Sequence, residues 1–530
     1  MMKKQRRLTG GVLLVLVAAM VLVTTALANG GNAFWPFGGQ NLENTRNAKT
    51  ETKISPANVS DLGVKWVFET GGDVSATPAV DGTSVYVPDW AGNLFKIDRE
   101  TGEQIWSIQI SDYTEVPGDF SRNTPALHGD MLVLGGQGGR FFQGATLMAV
   151  SKQTGDLLWS TIIEEHPASI VTQSPIVFGN RVFVGVASLE ELFAADPFYD
   201  CCSFRGSVMA LDVNTGEIVW QTFMAPDIDG YSGNSVWGPT AVVDQKRGSL
   251  YVTTGNNYTV PQDVLDCVAD NEGDPAAVEA CIAPDNYFDS VIALDLVTGA
   301  IKWDTRALPF DAWTVACLFD PESDNCTSPA GPDLDFGEGP ALFTVNDGRG
   351  KPRELLGAGQ KSGQYWAFDP DTGVVEWVTK AGPGGVLGGL IWGSAVDGER
   401  IYTANANAGH SPWNLVGGAN IDYGFWSALD AATGEILWQT PDPIPGNVNQ
   451  GPVTVANGVV YACSLDVDGH MYAMDAASGE VLWSFTSGGS CNAGAAVVNG
   501  TVYWGSGYAS LADFLGSTGN NQLYAFELQQ

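Results

Sequence analysis

One phrase recurs down the chain and limits what it can become. "LFKIDRETGEQIW" ends at Trp106, "LMAVSKQTGDLLW" at Trp159, "VMALDVNTGEIVW" at Trp220 and "VIALDLVTGAIKW" at Trp303. "YWAFDPDTGVVEW" ends at Trp377, "WSALDAATGEILW" at Trp438 and "MYAMDAASGEVLW" at Trp483, which makes seven copies. Half of an eighth, "QLYAFELQQ", stands at the C-terminal end. The other half, "DLGVKWVFET", lies far upstream with Trp66 in the tryptophan position.

Each copy reads as a hairpin. A short apolar strand runs into Ala-Leu-Asp, Thr-Gly supplies the turn, and a second strand ends in Trp. Glycine adopts positive φ without a Cβ penalty, and the Asp can accept hydrogen bonds from turn N–H groups. The Trp offers a large plane for packing against a neighbouring copy. A four-stranded sheet cannot bury both of its apolar faces alone, whereas a ring of such sheets can. The split copy predicts a last blade made from both chain ends, so that no sheet edge stays open. The expectation is an all-β fold: a single eight-bladed β-propeller over residues 45–530, preceded by an N-terminal segment, 29–44. Tryptophan spacing swells after Trp220 and again after Trp303, where the inserted loops hold Cys267, Cys281, Cys317 and Cys326. Insertions on one face of a repeat often line a binding site.

The start of the chain reads as a secretory signal peptide, residues 1–28. Lys3, Lys4, Arg6 and Arg7 form a basic region, Val12 to Val23 is apolar, and Ala26-Leu27-Ala28 fits a cleavage site. No other stretch is apolar and long enough to span a bilayer. A periplasmic or secreted protein meets oxidising conditions, and the cysteine spacing suggests Cys267 with Cys281, Cys317 with Cys326, Cys463 with Cys491, and the adjacent Cys201 with Cys202. That last pairing is unusual. Ordinary disulfides span Cα atoms roughly 4.4–6.8 Å apart, whereas neighbours across a trans peptide sit about 3.8 Å apart. The formal charge of −35 argues against nucleic acid, whose phosphates need Lys and Arg. It suits a basic protein partner, or simple solubility in a salty medium. Four scattered histidines exclude a His-based zinc site, and the lack of C-x-x-C-H excludes covalently attached haem.

The repeat resembles that of the quinoprotein alcohol dehydrogenases, eight-bladed propellers that bind pyrroloquinoline quinone (PQQ) and a divalent cation on the axis. The resemblance spans nearly the whole chain after the signal peptide. By that resemblance "NSVWGPTAVV" places Trp237 under the quinone with Ser235 beside it, and "TTGNNYTVP" offers Asn256 to the metal. "VGVASLEE" carries a metal glutamate, Glu190 by spacing, with Glu191 nearly as well placed. "PDLDFGEGP" resembles the catalytic loop: Asp335 is the implied general base and metal ligand, and Asp333 its rival. Lanthanide-using relatives carry a further acidic residue where this chain has Gly337, which favours Ca²⁺. Lys361 in "GQKSGQ" is the implied cationic partner of the quinone oxygens; Arg122 and Thr172 are implied cofactor contacts.

The sequence also departs from the best-known members. Their adjacent cysteines precede the cofactor arginine, whereas Cys201-Cys202 here follow the glutamate loop. That placement, in "CCSFRGSV", looks like the polyvinyl-alcohol dehydrogenase branch, and the pair is expected to form a rigid plate over the quinone opposite Trp237. Ser75 in "DVSATPAV" stands near the position where those members carry an early cofactor-contacting Glu, and no counterpart of the C-terminal haem domain of the fused quinohaemoproteins is expected. The implied activity is oxidation of a small or polymeric alcohol, with electrons leaving to a separate cytochrome c or other acceptor. The rival reading is a non-catalytic propeller, an envelope scaffold or binding module. It predicts no convergence of Trp237, Asn256, Asp335 and Lys361.

Overall fold

A computed structural model of the protein describes residues 34–346 and 350–529. The expected signal peptide lies outside them. Eight antiparallel sheets follow one another around an axis, over residues 79–109, 126–164, 169–223, 242–306, 341–380, 395–441 and 454–486, with the eighth made from 496–528 and 62–69; seven are four-stranded, and the third has a fifth short strand, Ser169–Ile170. The eight-bladed propeller read from the repeat is the fold. Strand Leu62–Glu69 forms the outer edge of blade eight and pairs antiparallel with Gln522–Leu528, placing Trp66 opposite Ala525. Both chain ends therefore meet in one sheet, as the split copy required.

The repeat motif is a docking device between blades. In its turn, the Asp430 carboxylate accepts the N–H groups of Ala432 and Thr433 at 3.0 and 2.9 Å. Seven of the eight motif tryptophans lie on the next blade's turn glycine; Trp483, which meets the split blade, donates to Leu62 O instead. At Gly216 a Cβ would come within 2.5 Å of the Trp159 ring, so only glycine lets the two approach. Trp159 Nε1 then donates to Val213 O at 2.8 Å. Trp66 closes the ring by donating to Arg99 O at 3.1 Å. Apolar cores form between adjacent blades: Phe183 and Trp220 of blade three pack with Val243 and Leu250 of blade four.

Residues 35–44, set outside the propeller on sequence, are bound into it. Trp35 pairs with Val80 of blade one. The carbonyls of Pro36, Leu42, Glu43, Thr45 and Arg46 then accept N–H groups from the innermost strands of blades two, four, five, six and seven. Glu51 reaches Gly500 of blade eight at 2.7 Å. This belt satisfies inner-edge groups that the blades leave open.

Antiparallel connectivity puts two kinds of connection at the same end of the ring: second strand to third, and fourth strand to the next blade. The Thr-Gly turns join third to fourth strands and so lie at the opposite end. Every candidate site residue belongs to the first group of connections.

Candidate active site

Asp335 sits on the long loop between blades four and five and is 2 % exposed. Its Oδ1 accepts Asn256 N–H at 2.9 Å, and its Oδ2 accepts Trp237 Nε1–H at 2.9 Å. The Lys361 ammonium lies 3.3 Å from the same Oδ2 and 2.7 Å from Asp333 Oδ1. It also stands 5.5 Å over the Trp237 ring. Four residues from four separate loops thus converge, as the resemblance implied and a scaffold propeller does not require.

Lys361 is outnumbered by carboxylates. Asp333, Asp335 and Glu191 stand around it, Asp311 and Asp289 adjoin Asp335, and most are buried. Burial alone would lower the Lys361 ammonium, but Asp333, Asp335 and Glu191 raise it well above the usual lysine range. Burial drives Asp333 far up despite Lys361, with Asp335 and Glu191 adding to the rise. Burial likewise brings Glu191 to about 8, opposed by Lys361, and Asp311 to about 6. Among the described residues, Asp333 Oδ2 and both oxygens of Asp289 meet no donor. A buried acidic group of this kind stays compact only by holding protons or a cation.

The adjacent glutamates separate. They begin the short helix Glu190–Phe193, where successive side chains point about 100° apart. Glu190 accepts the N–H groups of Ser203 (2.9 Å) and Phe204 (2.6 Å) and the Tyr199 hydroxyl (3.1 Å). Burial would raise its carboxyl, but His166 and these backbone donors bring it below the usual range. Glu191 instead lines a cleft with Asp333 and Lys361. The metal-ligand place expected for Glu190 is therefore open to Glu191, because Glu190's oxygens are committed to its own loop.

Asn256 is oriented for the role implied for it. Its Nδ2 donates to the carbonyls of Asn257 and Trp313, both at 2.8 Å, and among the described residues its Oδ1 accepts no hydrogen bond. Carboxylate and amide oxygens are the donors a hard divalent cation prefers. Among the described residues no three His, Cys, Asp or Glu side chains close on one point. A set of two carboxylates and one amide, from Glu191, Asp335 and Asn256, is a different composition and fits the donor chemistry.

Aromatic surface extends from this cluster across the axis. Trp237 meets Trp392 edge to face, with centroids 5.4 Å apart, and the Arg122 guanidinium lies 4.7 Å over Trp392. Arg122 also donates to the Tyr508 hydroxyl at 2.9 Å. Arg122, Thr172, Trp392, Ser75 and Arg46 line a small axial cavity of about 50 Å³. The Ser235 hydroxyl is turned to Tyr258 at 2.6 Å, and Ser75 accepts Trp90 Nε1–H. Cys201 and Cys202 are joined, and they pack with Ala194, Ala316 and the Cys317–Cys326 disulfide. The pairings Cys267–Cys281 and Cys463–Cys491 also form as expected.

A family model described as outer membrane protein assembly factor BamB matches residues 23–305 and 361–525. A polyvinylalcohol dehydrogenase from a Pseudomonas species is 30 % identical over 92 % of this chain and 76 % of its own length. One from a Sphingopyxis species is 29 % identical over 90 % and 73 %. This chain belongs to the PQQ alcohol dehydrogenase family. It is a quinoprotein oxidoreductase. Among solved structures, the quinohemoprotein alcohol dehydrogenase of Comamonas testosteroni shares the fold, with TM-score 0.69 and 21 % identity over 94 % of this chain and 80 % of that one. BamB from Moraxella catarrhalis shares it less fully, at TM-score 0.52 and 14 % identity, over 88 % of this chain and 99 % of that one.

The BamB-type repeat match breaks between 305 and 361, the stretch that carries Asp311, Asp333 and Asp335. This dehydrogenase therefore departs from the plain repeat where its acidic cluster is built. Sequence reasoning missed Trp392, Asp311 and Asp289. Trp392 lies outside the repeat slot and has φ +67°, and a tryptophan off the repeat was the available signal. The two aspartates lie in long insertions where neither spacing nor periodicity says which side chain turns inward.

Proposed function

We propose that this dehydrogenase binds PQQ and Ca²⁺ at the Trp237–Asp335–Lys361 cluster and oxidises an apolar or polymeric alcohol to a ketone or aldehyde. The observation that carries this reading is the sharing of Asp335 by Trp237 and Lys361, which joins a flat aromatic floor, a carboxylate and a cation in one site. When bound, the quinone supplies two-electron oxidising capacity and the cation Lewis acidity.

The chain's own residues do the rest. Asp335, held by the Asn256 and Trp237 N–H groups, keeps lone pairs free to take the alcohol's hydroxyl proton as general base. Lys361 keeps positive charge where negative charge grows as electrons leave the alcohol. Trp237 would be the floor, and Arg122 and Thr172, which line the adjoining cavity, would hold polar oxygens of the cofactor. Glu191, Asn256 and Asp335 hold the cation. Gly337 supports calcium over a larger ligand set: a Cβ there would lie 2.4 Å from Ile391 and 2.8 Å from Trp237, so no side chain fits. Cys201–Cys202, packed with Ala194, Ala316 and the Cys317–Cys326 disulfide, would supply a rigid contact for the quinone.

The approach to Lys361 and Asp333 is a cleft of about 230 Å³, walled by Leu189, Leu192, Trp313, Val315, Leu318, Val386, Leu387, Leu511 and Phe514. Leu318 and Phe514 are exposed at its outer end, whereas Asp333 and Lys361 are buried at the other. Such walls favour a hydroxyl carried on hydrocarbon over a sugar or a hydroxy acid. The basic start of the chain supports export to the periplasm, and no described helix is long and apolar enough to cross a membrane. The acidic surface favours a basic electron acceptor such as a soluble cytochrome c.

The test is reconstitution. Apo-protein is mixed with PQQ and Ca²⁺, and quinone absorbance and reduction of an artificial dye are followed with primary, secondary and polymeric alcohols. Quinone binding with alcohol-dependent dye reduction is expected. Binding without turnover on any alcohol would sink the activity.

A further inference from the structure

Two loops from different blades are bound to each other beside the acidic cluster. The first runs from Glu190 to Phe204 on blade three and carries Glu191 and the Cys201–Cys202 disulfide. The second lies between blades four and five, is stapled by Cys317–Cys326, and leads into Asp333 and Asp335.

The first loop is tied at its far end by Glu190. This carboxylate is 1 % exposed and receives the N–H groups of Ser203 and Phe204, the two residues directly after Cys202. Tyr199, from the middle of the loop, donates to the same carboxylate at 3.1 Å. His166 Nε2 stands 3.1 Å from Ser203 Oγ and 3.4 Å from Glu190 Oε1. Hydrogen bonds to an ionised carboxylate are about twice as strong as neutral ones.

The middle of the loop is tied by Asn325 of the second loop. Its Nδ2 faces three carbonyls at once, those of Ala194 (3.1 Å), Asp196 (3.2 Å) and Tyr199 (3.0 Å). Asn325 is itself held by Thr314 Oγ1, which donates to its backbone carbonyl at 2.6 Å. Val315 N–H donates to Glu191 O at 3.0 Å, directly at the residue proposed to face the cation. The two disulfides pack together over Ala194 and Ala316. One amide is thus aimed at three carbonyls of a loop that contains no regular structure beyond one helical turn.

We propose that Glu190 and Asn325 form an inter-blade brace that positions the Cys201–Cys202 disulfide and Glu191 at the active site. Neither is a catalytic residue; both act through the loop they hold. The brace stands on the hydrogen bonds alone, while its consequence for cation binding rests on the function proposed above.

The experiment measures the disulfide in place. Full-length protein is exposed to a phosphine reductant, samples are alkylated over time, and reduction of Cys201–Cys202 is read by peptide mass spectrometry against Cys463–Cys491 in the same molecules. In Glu190→Gln the negative charge is lost and one of the two acceptor oxygens becomes an NH2, so the amide oxygen can serve either the Phe204 side or the Tyr199 side of the carboxylate's contacts, not both. In Asn325→Ala all three carbonyl contacts are lost. Each variant is expected to raise the reduction ratio roughly tenfold or more, the change that loss of one charge-assisted hydrogen bond makes to a local opening equilibrium. Each should also weaken Ca²⁺ binding in a calorimetric titration. The two variants keep the test open should one not fold. An unchanged ratio overturns the proposal. So does equal acceleration of all four disulfides, which marks general loosening. Failure of wild-type protein to bind quinone or Ca²⁺ would count against the proposed function and leave the reduction ratios to decide the brace.

Discussion

Glu190 and Glu191 are chain neighbours with divergent surroundings: one carboxylate receives the N–H groups of Ser203 and Phe204, and the other shares a cleft with Lys361 and Asp333. Substituting each by Gln therefore separates two roles. Glu191→Gln is expected to lower Ca²⁺ affinity by roughly 100-fold or more, beyond the range typical of residues that only support a ligand. Its Tm without cation should stay within a few degrees of wild type. Calorimetric titration and thermal melts check this, and an unchanged affinity would remove Glu191 from the ligand set.

Asp335→Asn keeps the shape and its acceptor oxygen for Asn256 or Trp237 but removes the base. A fall in kcat of about 10²–10⁴ is expected, with quenching of tryptophan fluorescence by bound quinone retained. Turnover within tenfold of wild type would move the base to Asp333.

Lys361→Met leaves Asp333, Asp335 and Glu191 without their cation. Removing one partner from a buried ionic group costs about 3–5 kcal/mol. The variant should melt well below wild type when stripped of metal and gain more Tm than wild type on adding Ca²⁺. Equal gains in both proteins would show that lysine and cation do not share the compensation of charge.

The tryptophan positions are not equivalent. Trp159 Nε1 donates to Val213 O at 2.8 Å, whereas Trp377 Nε1 is buried and has no hydrogen-bond partner among the described residues. Trp159→Phe and Trp377→Phe lose similar ring area. The first should cost about 1 kcal/mol more, the worth of a single hydrogen bond. Urea denaturation measures the difference, and equal costs would mean that the indole N–H adds nothing to blade docking.

Glu338 supplies a pH dependence away from the cation ligands. Burial raises its carboxyl to about 7, offset by Ser394, Gly359 and Arg46. A carboxyl with a raised folded-state pKa binds more protons folded than unfolded, so its contribution to stability falls as pH rises from about 4.5 through about 7. Glu338→Gln should gain stability relative to wild type across that window, by on the order of 3 kcal/mol at most. Calorimetric Tm values at the two ends of the window test the sign.

Much of the architecture was legible because the motif repeats. An Asp that caps its own turn, a glycine under a neighbour's indole and a tryptophan on the outer strand are local requirements, met again at each blade. Their number and the split eighth copy determined blade count and closure. The convergence of Trp237, Asn256, Asp335 and Lys361 was legible from family motifs; Asn256 and Lys361 follow their strands within three residues, whereas Asp335, on a long loop, was placed by its motif alone. The pairing of all eight cysteines followed from their spacing.

Other features had no such local cause. Which of Glu190 and Glu191 faces the axis depends on the direction of one helical turn, and that is decided by N–H groups thirteen and fourteen residues away. Asp289 and Asp311 join the acidic cluster because two long insertions fold back on it. The belt of residues 35–48 binds six blades through backbone carbonyls, which carry no side-chain signature. The sequence by itself determined the ring, since each blade's contacts are with its nearest neighbours and repeat with them. Only the tertiary structure decided what stands on the axis, where loops of unlike length meet and the electrostatics of the whole group sets the surroundings of each side chain.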